Sequence, residues 1–186
     1  MLGLSQARYI DKVLERFSMQ NSKKGLFPFR HGVPLFDDQR PKTQEEVEMM
    51  RQVPYASAVG SLMYAMLCTR LDICYSVSMV SRYQSNPGPK HWQAVKHILK
   101  YLQRTRDYMV VYCCEDLIPI GCTDSYFQSD LDFRKSTSGC VFTLGGGAIT
   151  WRSVKQSSIA DSTMEVEYVA TCEAAKEVVW LKKFLF

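Results

Sequence analysis

The stretch from Ile118 to Tyr168 most narrows what this chain can fold into. It opens with a short strand closing on Thr123-Asp124-Ser125. A hairpin follows from Ser138 to Ser153 around Gly145-Gly146-Gly147, and the stretch ends on Ser162-Thr163-Met164-Glu165-Val166-Glu167-Tyr168. The pattern predicts consecutive antiparallel strands that feed a helix from about Ser162 to Leu185. An acid at a strand end and an acid in the first turn of the following helix make half of a metal-binding carboxylate cluster.

Strand alternation puts Ile118, Ile120, Cys122 and Asp124 on one face, and Gly121 and Thr123 on the other. Asp124 therefore ends an apolar row, either exposed at the sheet edge or held at a functional site, because burying it unpaired is costly. The helix carries an apolar stripe of Met164, Tyr168, Cys172, Ala175 and Val179. Glu165 and Glu167, two residues apart, are rotated by about 200° on a helix, so one of them can face the sheet beside Asp124. Glu167 shares its face with the small Ala170, Thr171 and Ala174, which favours it as the inward acid. Glu165, beside Val169, Cys172 and Lys176, is the alternative. A solvated first turn, favoured by the helix dipole, accounts equally for a Glu at either position.

The preceding residues read as helices. Ser5 can cap a helix with Tyr9, Ile10, Val13, Leu14 and Phe17 at helical spacing. Residues 19–42, with three prolines, lose the periodicity and read as a loop. Thr43 caps a helix rich in Glu, and Pro54 restarts the chain. Tyr55 to Thr69 is apolar or small nearly all round, which predicts a helix buried on most sides, with Gly60 admitting a close neighbour. Asp72 to Tyr83 and His91 to Gln103 read as two more helices, and Met109 to Tyr112 as a strand.

Charge divides unevenly. Residues 1–116 hold 16 basic and 11 acidic side chains, and residues 117–186 hold 7 and 8, so a polyanion would meet the first part. With 46% hydrophobic residues the chain can bury a core, which excludes a disordered polypeptide. Cys68, Cys74, Cys113, Cys114, Cys122, Cys140 and Cys172 are odd in number, lie mostly in apolar stretches and form no CxxC. They read as buried thiols of a reducing compartment. The N-terminus has no signal-peptide pattern and no run is apolar enough to span a membrane, so the expectation is an intracellular protein of cytoplasm or nucleus.

Several motifs in order along the chain carry a resemblance. They are Tyr55-Ala-Ser-Ala-Val-Gly-Ser-Leu-Met-Tyr, Thr69-Arg-Leu-Asp-Ile-Cys-Tyr, Val80-Ser-Arg-Tyr and Lys96-His-Ile-Leu-Lys-Tyr-Leu in the first part. Thr123-Asp-Ser, Arg134-Lys-Ser-Thr-Ser-Gly, Ser162-Thr-Met-Glu-Val-Glu-Tyr and Glu173-Ala-Ala-Lys-Glu follow in the second. The chain resembles the C-terminal part of copia-type retrotransposon polyproteins, where reverse transcriptase runs into ribonuclease H. The resemblance implies a mixed α/β (α+β) chain. Residues 1–116 would be a helical reverse-transcriptase remnant. Residues 117–186 would be an incomplete ribonuclease H-like domain of three antiparallel strands and one long helix.

The resemblance also implies chemistry. Ribonucleases H hydrolyse the RNA strand of an RNA–DNA hybrid with carboxylates that hold two magnesium ions. By motif, Asp124 and Glu167 would be catalytic metal ligands, with Glu165 as the alternative to Glu167. Weak or absent Mg2+ binding is expected, because the family's next acid follows this helix and the given sequence stops at Phe186. Tyr126 stands where the family commonly has a second Asp, and Leu71 where it usually has Pro. No Tyr-x-Asp-Asp occurs, so polymerase activity is not expected.

Arg134 and Lys135 at a turn, and Lys96 and Lys100 beside Trp92 and Tyr101, are candidate contacts to nucleic acid. Each has a plainer reading, as a polar turn and as the wet face of a core helix. An unpaired sheet edge where the fourth strand would pair invites self-association. Two other classes of function remain in view: a non-catalytic module that binds nucleic acid or protein, and a transposon-derived protein recruited as a secreted effector that meets a host-cell protein.

Overall fold

The computed structural model describes residues 1–30, 34–113 and 118–185. The expected boundary at 116/117, the thiol of Cys114 and residues 31–33 of the expected loop lie outside the described residues. The chain divides into two compact units, one made by Gly3–Val110 and the other by Met1–Leu2 with Val111–Phe186.

In the first unit, helices α1 (Ala7–Arg16), α2 (Gln44–Arg51), α3 (Tyr55–Cys68), α4 (Cys74–Ser81) and α5 (Pro89–Arg104) build the core. Ile10 from α1, Val59 and Leu62 from α3, Val77 from α4, and Ile98 and Leu99 from α5 are fully buried in one cluster. Each such side chain contributes about 1.5–3 kcal/mol. Thr43 starts α2 with a reciprocal cap: its hydroxyl accepts from the Glu46 N–H at 3.2 Å and the Glu46 carboxylate accepts from the Thr43 N–H at 3.3 Å. The Lys42 N–H first, and then the Thr43 N–H, both donating to this carboxylate, hold the Glu46 carboxyl below the usual range.

Two buried polar side chains of this unit are well matched. Arg70, 1% exposed, donates to both carboxylate oxygens of Asp72 and to the carbonyl and hydroxyl of Thr105. His91, fully buried at the start of α5, accepts at Nδ1 from the Gly88 N–H. Its Nε2 therefore carries the proton and donates to the Phe36 carbonyl at 3.2 Å. Gly88 is required here, since a Cβ would lie 1.8 Å from the Gln39 carbonyl oxygen.

Three local expectations change. Residues Leu2–Ser5 form a strand, β1, paired with β2 (Met109–Tyr112). Ser5 is therefore the last strand residue and Gln6 takes the cap position, although the Ser5 hydroxyl still accepts from the Ala7 N–H. Helix α3 buries one face only. Tyr64 and Leu67 are 54% and 67% exposed and nothing lies within 4 Å of a Cβ placed on Gly60, because no described element covers that side. The described cysteines are free, as expected, but only Cys74 among them is buried.

In the second unit, β3 (Ile120–Tyr126), β4 (Thr137–Leu144) and β5 (Gly147–Lys155) form an antiparallel sheet in the order β3-β4-β5. Gly145 and Gly146, at φ 55° and 81°, make the two-residue turn between β4 and β5. Helix α6 (Thr163–Leu185) packs on this sheet. Three strands and one long helix are the arrangement that the sequence resemblance implies. The buried stripe of α6 is Val166, Ala170, Ala174 and Leu181, whereas Met164, Tyr168 and Val179 are 80%, 71% and 57% exposed. Small side chains win the sheet-facing side because they let the helix axis approach. Among the described residues nothing covers the larger ones.

No helix among the described residues is long and apolar enough to cross a membrane.

Candidate metal centre

Directly opposed residues of an antiparallel pair point to the same side of the sheet. Phe142 of β4 packs on Ala174 and Leu181 of α6, and its partner on β3 is Gly121. Gly121, Thr123 and Ser125 therefore face α6, while Ile120, Cys122 and Asp124 face away. Ile120 is 61% exposed, so the apolar row ending in Asp124 exists but lies on the uncovered side.

Ser125 joins the two ends of the candidate site. Its hydroxyl donates to Glu167 Oε1 at 2.8 Å, and its backbone N–H donates to Asp124 Oδ1, also at 2.8 Å. The structure thus brings Glu167 to the residue beside Asp124, while the Asp124 side chain itself leaves from the opposite face of the sheet. Glu165 is engaged elsewhere. Its N–H donates to the Ser162 hydroxyl and its Oε2 accepts from the Asp161 N–H at 3.0 Å, which closes the first turn of α6. Sequence reasoning overlooked Ser125; the signal was a hydroxyl directly after the strand acid.

Asp124 and Glu167 are both exposed, and among the described residues neither is paired with a Lys or Arg. Two hard carboxylate donors without a counter-cation fit the chemistry of magnesium. They do not make a full ligand set, since no group of three His, Cys, Asp or Glu side chains able to hold a metal occurs among the described residues. Tyr126, where a second Asp would stand, is a 54% exposed phenol.

A cavity of about 190 Å³ lies between α6 and strands β4 and β5, and neither Asp124 nor Glu167 lines it. Cys140, Arg152, Gln156 and Glu173 are among the residues around it. Burial raises the Cys140 thiol above its ordinary value, so it is not an activated nucleophile.

The other predicted contacts are dispersed. Arg134 sits in the left-handed region at φ 52° on the loop before β4, and the Lys135 ammonium donates to the Ser157 carbonyl. Asp130, 2% exposed, ties the same loop to Lys155 at 3.0 Å. Lys96 and Lys100, both half-buried, lie on α5 in the first unit. Trp92 and Tyr101 of that helix pack against the core, in line with the plainer reading.

Comparison with known proteins decides the family. The chain is 50% identical over 184 residues, 99% of its length, to a retrovirus-related Pol polyprotein from transposon TNT 1-94 of Nicotiana tabacum. This chain belongs to the Pol polyproteins of copia-type retrotransposons. A second Pol polyprotein, from transposon RE2 of Arabidopsis thaliana, is 31% identical over 185 residues. The chain spans 14% and 12% of these two polyproteins. A secreted RxLR effector protein of Plasmopara viticola is 44% identical over 133 residues, which are 71% of this chain and 94% of that protein. No protein-family model and no solved structure matches the chain.

Proposed function

We propose that this Pol-family chain carries part of a magnesium-dependent nuclease for RNA in RNA–DNA hybrids, with Asp124 and Glu167 as its metal-holding carboxylates. The observation that supports this most is Ser125, which donates to Glu167 through its hydroxyl and to Asp124 through its backbone. These bonds tie Glu167 to the residue next to Asp124. Magnesium, when bound, supplies the charge that activates water and stabilises the leaving oxygen. Asp124 and Glu167 offer it oxygen ligands, and Arg134 and Lys135 of the same unit supply positive charge for phosphates. With two carboxylates, magnesium binding is weak and cleavage slow or absent.

Cleavage of a labelled RNA–DNA hybrid with and without magnesium tests this reading. Wild-type protein is expected to cut slowly and only with the metal. Asp124→Asn and Glu167→Gln should abolish cutting, while Glu165→Gln should retain it. A wild type as inert as Asp124→Asn would reduce the nuclease reading to ancestry.

A second reading is favoured by the coverage of the RxLR effector, nearly all of whose length aligns with this chain. Under it the chain acts as a recruited interaction factor, in secreted form, on a host-cell protein. The nuclease reading instead places it inside the cell that makes it. Self-association through the unpaired edge of β3 is compatible with both.

A further inference from the structure

The first unit carries a charge segregation that the carboxylate site does not use. Residues 16–36 and 73–106 contain no Asp or Glu, yet they hold ten Lys and Arg residues. The fold lays part of one segment along the other. The Gly25 N–H donates to the Lys100 carbonyl at 2.9 Å, and the Ser22 hydroxyl donates to Gln103 Oε1 at 3.1 Å. Gly25 is needed for this approach, since a Cβ there would lie 3.1 Å from both the Lys100 side chain and the Tyr101 backbone nitrogen. Lys23, Lys24 and Arg30 are thereby added to the cations of α5.

Where the two segments meet there is a cavity of about 330 Å³. Arg30, Lys90, His97 and Gln93 supply its polar wall, Phe29 and Phe36 its aromatic wall, and no carboxylate is among the described residues lining it. Next to it, Phe27 is 72% exposed within the run Lys23-Lys24-Gly25-Leu26-Phe27-Pro28-Phe29-Arg30. Two residues separate Phe27 from Arg30, at most about 10 Å of extended chain, which one nucleotide step can bridge. A large apolar ring held in water among cations matches the pattern of proteins that stack bases while cations track the backbone. The positive field is felt at His97, whose imidazole is held below its ordinary value by burial and then by Arg30, Lys100 and Lys96.

We propose that this face binds single-stranded nucleic acid, seating a nucleotide phosphate in the cavity at Arg30, Lys90 and His97 and stacking an adjacent base on Phe27. The site needs no metal and none of the carboxylates of the second unit, so it stands apart from hybrid cleavage.

The test is fluorescence anisotropy of the full chain with labelled oligothymidine and oligouridine single strands in EDTA, where no hybrid cleavage can occur. Wild type should bind both, with affinity falling as salt rises. Phe27→Ala should weaken binding roughly tenfold at unchanged salt slope, the loss expected from one stacked base. The double variant Arg30→Ala/Lys90→Ala should lower the salt slope by about 1.4, the effect of two phosphate contacts on a single strand. All three side chains are exposed, so circular dichroism should show unchanged folding. Absence of single-strand binding by wild type would overturn the proposal. So would wild-type affinity in Phe27→Ala, tighter binding of a blunt duplex, or binding only to phosphatidylserine vesicles. Loss of cleavage with retained binding would leave this site intact and remove only the nuclease reading.

Discussion

At Gly121 the β3 backbone runs against the ring of Phe142, and a Cβ there would lie 2.3 Å from the ring carbon Cε1. Phe142 is 3% exposed and cannot retreat, because it is wedged against Ala174 and Leu181 of α6. Gly121→Ala therefore overpacks the second unit and should cost about 1–3 kcal/mol, measured by urea unfolding. His97 gives a residue-scale test of the first unit. Its folded value lies below the unfolded one near 6.5, so its contribution to stability is complete above that pH and is lost as pH falls through the folded value. Wild type should lose more melting temperature than His97→Gln between neutral and mildly acid pH, and an equal loss in both would contradict the assignment. In the same unit, burial first and the bond to Asp72 second push the Tyr101 phenol up to about 12, so it stays neutral throughout this range. Much at this scale was legible in the sequence. Thr43 and Pro54 announced helix starts. Ser125 was not legible, because its role depends on which face β3 turns to the helix, a tertiary fact.

At the scale of elements, β3 is an edge strand among the described residues, where it pairs with β4 alone, and its outward face carries the exposed Ile120 and Cys122. Unpaired backbone donors beside apolar side chains are a template for another strand. Sedimentation at rising protein concentration should show reversible association, which Ile120→Lys should weaken. A wild type that stays monomeric at all concentrations would count against the edge as a self-pairing site. Helical periodicity located α6, yet its apolar stripe of Met164, Tyr168 and Val179 proved exposed and the alternative stripe of Val166, Ala170 and Ala174 buried. Hydrophobicity alone chose the larger side chains; close packing against a sheet chose the smaller. The same limit applies to α3, whose all-round apolar composition predicted burial on most sides but whose Tyr64 and Leu67 face solvent.

At the scale of the whole molecule, the basic side chains gather in the first unit, while the carboxylate pair lies in the second. That separation was visible in the charge count. The convergence of residues 22–30 on α5 was not, because it rests on long-range bonds such as Gly25 to Lys100. The proposed function rests on the pair Asp124 and Glu167, rather than Glu165, as the carboxylates that would hold magnesium. A magnesium titration followed by amide NMR tests it most directly. The account predicts weak, saturable shifts centred on Asp124, Ser125 and Glu167 that vanish in Asp124→Asn. Saturable shifts centred on Glu165, or none at Asp124 and Glu167 at any magnesium concentration, would contradict it.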